Sequence, residues 1–268
     1  MGRTRPRSSR LPDIQMGIPT PGKLTLRRAL GKGICVAIVS ASILSPAKAQ
    51  RLYSNHATPA SDIATMLHGL PSPDGRSVIH AREIASSSDD SWPFKIWVTA
   101  GGRNYPLAFG TYVGTEVGWS PDSTAFFVTY SDGGAVGQFH ALIYEIDSNG
   151  VHRSEPVPNG SKLSKPHCSP PQEPNVGAIK WGVGSQSLFI AVEVPPHSSC
   201  ASMGTFRVFE ITRREAKVLG EYDQLEAKKL LAESLGAELR NADDDCIKKP
   251  KTCVLPGVSP PSSHRAPR

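Results

Sequence analysis

The sequence predicts an all-β fold, an array of about three four-stranded repeat units over residues 66–222, with an amphipathic helix at the C-terminal side. Three observations predict it. Short runs rich in β-branched and aromatic residues recur, each launched from a turn of Gly, Pro, Asp or Ser. The turn and its run are written three times, as PSPDGRSVIHARE (Pro71 to Glu83), WSPDSTAFFVTYS (Trp119 to Ser131) and WGVGSQSLFIAVE (Trp181 to Glu193). One stretch, residues 223–242, instead places leucines at helical spacing.

Residues 1–49 stand outside this array. Arg3, Arg5, Arg7, Arg10, Lys23, Arg27, Arg28 and Lys32 face one acid, Asp13, and are followed by the apolar run GICVAIVSASIL, Gly33 to Leu44. Ala47-Lys48-Ala49 then supplies a small-x-small site, so the segment reads as a signal peptide cleaved before Gln50, with Met16 as an alternative start. The run is shorter than the roughly 20 apolar residues a membrane helix needs, and no span is expected. Arg27-Arg28 is similar to a twin-arginine signal, but Gly31 stands where that signal prefers a bulky apolar residue, which favours an ordinary leader. The expected location is the bacterial periplasm or the medium.

Charge follows the same division. The chain has 30 basic and 24 acidic residues, a net charge of +6. Without the leader, 21 basic residues face 23 acids, a net charge near −2. The basic excess is thus a targeting signal, and nucleic acid is not expected as a partner.

Residues 50–65 read as a linker or edge strand. The first unit turns at Ser72-Pro73-Asp74-Gly75: Pro sets φ near −65°, Asp bonds local backbone, and Gly accepts the positive φ that leaves the turn. Ser123 replaces that Gly in the second unit. The third, Gly182-Val183-Gly184-Ser185, loses Pro and Asp and is expected to rely on glycine. In FKIWVTA, Phe94, Ile96 and Val98 alternate with Lys95, Trp97 and Thr99, as in a half-exposed strand. In QSLFIAVEV both faces are apolar, which predicts cover on both sides. Further strands begin near Lys95, Leu142 and Arg207. The proline-rich segment His152 to Asn175 lengthens the third interval and reads as a surface loop pinned by Cys168.

This pattern resembles the WD40-like (PD40) repeat of the TolB-type β-propellers, whose signature is a W-S-P-D-G turn. Trp119-Ser120-Pro121-Asp122 matches four of the five residues, and Ser72-Pro73-Asp74-Gly75 matches four with Pro71 in the Trp position; Trp181 alone survives clearly in the third copy. The resemblance implies propeller blades and envelope-associated protein interactions. Propellers close with about four to eight blades. Three units imply a partial or small propeller: left open, completed by degenerate strands such as RLYSNHAT, or closed by a partner chain.

In DQLEAKKLLAESLGAELRNA, Asp223 is the expected N-cap and Leu225, Leu231, Leu235 and Leu239, with Leu230, form the stripe. It reads as a cap on a free edge of the array in preference to a ligand for a partner's groove. Residues 243–268 have the composition of a disordered tail.

Cys35 leaves with the leader. Cys168, Cys200, Cys246 and Cys253 allow three pairings, of which Cys168–Cys200 and Cys246–Cys253 are favoured because each brackets a poorly tied segment. His167-Cys168 with His197 and Cys200 offers a zinc alternative, but the spacing matches no compact finger, and no metal is assigned. Asp89-Asp90 and Asp243-Asp244-Asp245 read as solvated acids in preference to cation sites.

Catalytic signatures are absent: the sequence holds no G-x-S-x-G elbow, no phosphate loop and no H-E-x-x-H. No cofactor is assigned, and the chain reads as a non-enzyme. Trp119 and Trp181 read as packing between units, whereas Trp92 and Tyr112, in loops, are the candidates for ligand or partner contact. The expected function is an exported binding or scaffold protein that contacts envelope proteins through its loops. The alternative is a carbohydrate- or small-ligand-binding module. A hydrolase using a carboxylate pair across the repeat axis is third.

Overall fold

The computed structural model describes residues 51–84, 94–109, 114–133, 137–154, 157–166, 168, 171–200 and 202–243. The leader, Asp89-Asp90, Trp92, Tyr112, His167, Asp244-Asp245, Cys246, Cys253 and the tail lie outside them. After β1 (Thr58–Pro59) and α1 (Ala60–Thr65), the first sheet runs β2 (Leu70–Pro71), β3 (Ser77–Glu83), β4 (Phe94–Ala100) and β5 (Arg103–Pro106). The second holds β6 (Glu116–Trp119), β7 (Ala125–Ser131), β8 (Phe139–Asp147) and β9 (Gly150–Arg153), with β1 added beside β6. After the single turn α2 (Gly160–Leu163) comes the third sheet, β10 (Asn175–Trp181), β11 (Ser187–Glu193), β12 (Phe206–Thr212) and β13 (Val218–Tyr222). The short helices α3 (Gln224–Leu230) and α4 (Ala237–Asn241) follow. All pairings are antiparallel. Among the described residues no strand of the first sheet pairs with the third, so the sheets do not close into a ring.

Side-chain alternation reports where each sheet sits. In β3, Ser77, Ile79 and Ala81 are buried while Val78 and His80 are half-buried, so one face is covered. In β7, Ala125, Phe126, Phe127, Val128 and Thr129 are all buried, because the second sheet lies between the other two. Phe126 and Val128 pack with Ile79 and Ile96 of the first sheet. Phe127 and Ala125 pack with Leu188 and Ile190 of the third. Burying each such side chain contributes about 1.5–3 kcal/mol, and this packing is the main source of stability.

The three turns share one backbone scheme, in which the N–H groups of Gly75, Ser123 and Ser185 donate to the carbonyls of Ser72, Ser120 and Gly182; the first two add a side-chain bond. Ser72 Oγ donates to Asp74 Oδ1 at 2.7 Å, and Ser120 Oγ to Asp122 Oδ1 at 2.6 Å. Positive φ falls at Gly75, Ser123 and Ser185. The third turn therefore does not rely on Gly184 alone: Ser185 takes the left-handed position, as Ser123 does. The reason is visible across the sheets. The backbone N–H of Asp74 donates to Ser123 Oγ at 3.0 Å, and that of Asp122 donates to Ser185 Oγ at 3.2 Å. Each serine accepts a bond from the preceding turn that glycine cannot accept. The tryptophans repeat this logic: Trp119 Nε1 donates to the Leu70 carbonyl and Trp181 Nε1 to the Gly118 carbonyl, each at 3.2 Å.

Arg213, with a side chain 8 % exposed, pins the second interface from the β12–β13 turn. It donates to Asp122 Oδ2 at 3.1 Å and the Thr124 carbonyl at 2.8 Å, stands over the Trp181 ring, and lies 3.3 Å from Glu145 Oε1. The Glu145 contact is an ion pair without hydrogen-bond alignment.

The single helix expected over 223–242 is two. Asp223 caps α3, accepting from the Glu226 N–H at 2.8 Å. Leu231, Leu235 and Leu239 are buried, but Leu225 and Leu230 are 43 % and 58 % exposed. The break has a cause: the N-terminal segment takes the backbone donors that a continuous helix would use. Gly236, Ala237 and Glu238 donate to the carbonyls of Tyr53, Arg51 and Leu52. A side chain at Gly236 would strike the Leu52 carbonyl, and one at Gly177 would strike the Tyr53 ring. Together the helices and Tyr53 cover the outer face of the third sheet, packing on Ile179, Ala191 and Val208, not on a strand edge.

Ser123 tests the scheme. Ser123→Ala removes the acceptor but keeps the strained φ, whereas Ser123→Gly removes the acceptor and relieves φ. Urea denaturation should find the Ala variant about 1–2 kcal/mol less stable than wild type and the Gly variant within about 0.5 kcal/mol of it.

Candidate functional site

The repeated turns gather at one end of the sheets. At the opposite end, where β4, β6, β8 and β10 begin and β11 finishes, lies a cavity of about 650 Å³. Each sheet contributes a wall: Phe94 from the first, Glu116 and Phe139 from the second, Asn175 and Glu193 from the third. The N-terminal segment closes it through Leu52, Tyr53 and Ala60, and Glu238 of α4 stands beside them.

Two carboxylates define its chemistry. Glu116 is 1 % exposed and accepts from the backbone N–H groups of Leu52 and Tyr53. Burial raises its pKa to about 7, against the amide bonds and the charge of Arg51, which favour ionisation. Glu193, also 1 % exposed, accepts on Oε2 from the Tyr53 hydroxyl at 2.7 Å and from Asn175 Nδ2 at 3.2 Å. Burial, aided by the negative charge of Glu238, raises it to about 7, while the Tyr53 and Asn175 bonds pull the other way. Burial beside Glu193 also holds the Tyr53 hydroxyl well above its ordinary pKa. Tyr53 links the two acids, its N–H on one and its hydroxyl on the other.

A disulfide holds the rim. Cys168 bonds Cys200, the pairing expected from the sequence, and a β-bridge joins the same residues. It ties Gln172 and Glu173 to Pro195, Pro196 and His197, all of which line the cavity. Cys168 and Cys200 are thereby committed to each other and unavailable as metal ligands. Among the described residues no three His, Cys, Asp or Glu side chains are grouped to hold a metal ion, and no helix is long and apolar enough to cross a membrane.

The residues singled out in the sequence fall elsewhere. Ser72, Pro73, Asp74, Gly75, Trp119, Ser120, Pro121, Asp122 and Trp181 form the turn end and the joints between sheets, away from the cavity. Trp92 and Tyr112 are outside the described residues. Glu116 and Glu193 gave no motif; the one available signal was a charged residue at the end of an otherwise apolar strand. No family model matches the chain, and no curated protein matches its sequence.

The carboxylates predict a pH dependence. Their folded pKa values near 7 lie above the ordinary 4.5, so the folded chain binds more protons than the unfolded one between those values. The stability they contribute is full below about 4.5 and lost as pH rises through 7, by up to about 3 kcal/mol per group. His56 and His80, lowered by partial burial, contribute with the opposite sign, since their ionisation disfavours the fold as pH falls. Denaturation at pH 5 and 8 should therefore show a drop in wild type that Glu193→Gln reduces by about half. An unchanged drop would remove Glu193 from this account.

Proposed function

We propose that the chain is an exported, non-enzymatic binding protein that recognises its ligand in the cavity at the loop end of the three sheets. One observation carries this reading: a cavity of about 650 Å³ whose apolar walls and buried polar groups come from all three sheets and is braced by a disulfide. Concave sites with mostly apolar walls and a few fixed polar groups are the usual form of small-molecule sites. The geometry thus favours the small-ligand reading, with Phe94, Phe139 and Tyr53 as the aromatic surfaces.

The scaffold reading rests on the likeness of the turns to TolB-type repeats, and the bonds from turn to turn give that likeness a physical basis. In that reading the three sheets are blades of a partial propeller, and a partner inserts a side chain into the same cavity. Catalysis is less well supported. Glu116 gives both oxygens to backbone amides and Glu193 gives one to Tyr53 and Asn175, so the acids serve first as anchors for residues 51–54.

A fragment screen on the mature protein by ¹H–¹⁵N NMR tests the proposal. Hits should perturb Thr115, Phe139 and Glu193 together, and Ser61→Trp, which fills the cavity from α1, should abolish them while leaving the remaining spectrum intact. Hits that map only to the turn end, or that survive Ser61→Trp, would refute the cavity reading.

A further inference from the structure

Four of the cavity's lining residues are glutamates, 116, 173, 193 and 238, and none is a lysine or arginine. Their oxygens are not equally engaged. Glu116 bonds through both. Glu193 makes its two bonds through Oε2, which leaves Oε1 without a hydrogen bond among the described residues. Glu173 Oε1 is buried and has no hydrogen-bond partner among the described residues. The cavity therefore offers carboxylate oxygens that lack donors, while its body is apolar: Phe94, Phe139, Pro195 and Pro196.

A buried carboxylate without a donor is costly, and a neutral donor does not offset its charge. An ammonium group does both, with three N–H donors and a positive charge, and an aromatic wall adds attraction for the cation. Phosphates, carboxylates and acidic sugars would meet four carboxyl groups with no lysine or arginine among the lining residues to balance them, His197 on the rim being the one basic side chain. Neutral sugars would leave the acids uncompensated and would set hydroxyls against Phe94 and Phe139.

Resting on the reading of the cavity as a binding site, we infer that its ligand is a primary ammonium on an apolar body, with the nitrogen between Glu193 and Glu173 and the body against Phe94 and Phe139. A free amine and the lysine side chain of a partner protein share this chemistry.

Three probes of one shape separate charge from size: 2-phenylethylammonium, 2-phenylethanol and phenylacetate. They are titrated calorimetrically into the mature protein at pH 8, where the ammonium stays protonated. The ammonium should bind at least tenfold more tightly than the alcohol, with phenylacetate weakest. Glu193→Gln keeps an acceptor for Tyr53 and should cost the ammonium about tenfold while leaving the alcohol unchanged. Glu238→Gln, nearer the surface, repeats the test with less risk to folding and should cost the ammonium about threefold. Capped lysine in a fourth arm identifies the source: tighter binding than 2-phenylethylammonium points to a partner's side chain, weaker binding to a free amine. Equal affinities for ammonium and alcohol, a preference for phenylacetate, or an ammonium preference that survives both glutamine variants would overturn the inference. The fragment screen judges the cavity independently: neutral or anionic hits there, with no ammonium binding, would leave the binding site standing and remove only its ligand class.

Discussion

The indole N–H of Trp119 on the Leu70 carbonyl, and that of Trp181 on the Gly118 carbonyl, fix how far apart successive sheets stand. Both bonds run from the residue just before one turn to the carbonyl two places before the preceding turn. The serine hydroxyls at Ser123 and Ser185 repeat the connection a few residues on. These two recurring polar bonds help hold each pair of sheets in register, and the apolar side chains between them interdigitate. Arg213 adds charge to the second joint, where the third turn has lost its Asp. The first sheet carries Pro71 and Gly75 at the corresponding positions, so it has neither an indole nor a hydroxyl to extend the series backwards.

A stack of three sheets leaves two end faces, and the molecule treats them differently. The outer face of the third is apolar and lies under Tyr53, Leu231, Leu235 and Leu239. The outer face of the first is mixed, with His80 stacked on Trp97 and bonded to Thr99, and it remains half-exposed. The cavity follows from the same arrangement. The turns gather at one end, the cavity lies at the other, and Leu52, Tyr53 and Ala60 line it without filling it.

Much of the fold could be read from the sequence because its signals are local. The turns are set by Pro, Asp and Gly within four residues. Strand type follows from alternation, and the two-sided cover of β11 was visible in SLFIAVE. The helix break was not legible: leucine spacing from 223 to 242 is continuous, and only the docking of residues 51–55 shows why α3 must stop. The site was still less so. Glu116 and Glu193 belong to different repeats and come together through Tyr53, a residue that looks like linker. The bonding role of Ser123 was hidden as well, since a substitution of glycine reads as loss until the neighbouring turn is seen.

The path of residues 51–56 has a consequence for when the chain can finish folding. Ser54 pairs with Leu235, and the Asn55 N–H donates to the Ser234 carbonyl. The Asn55 side chain donates to the Glu233 carbonyl, 178 residues away. The earliest described residues thus find partners between α3 and α4, near the last of the described residues, while also bonding to Glu116 of β6 and Ile179 of β10 in between. Contacts of such sequence separation form late, because their loop-closure entropy comes due before they stabilise anything. An emerging chain can assemble its first two sheets, but it cannot seat Tyr53, link the two glutamates or wall the cavity until synthesis passes Leu235. Completing the cavity therefore requires residues from both ends of the described chain at once, and a chain lacking α4 would lose Glu238 from its wall together with donors that seat Arg51 and Leu52.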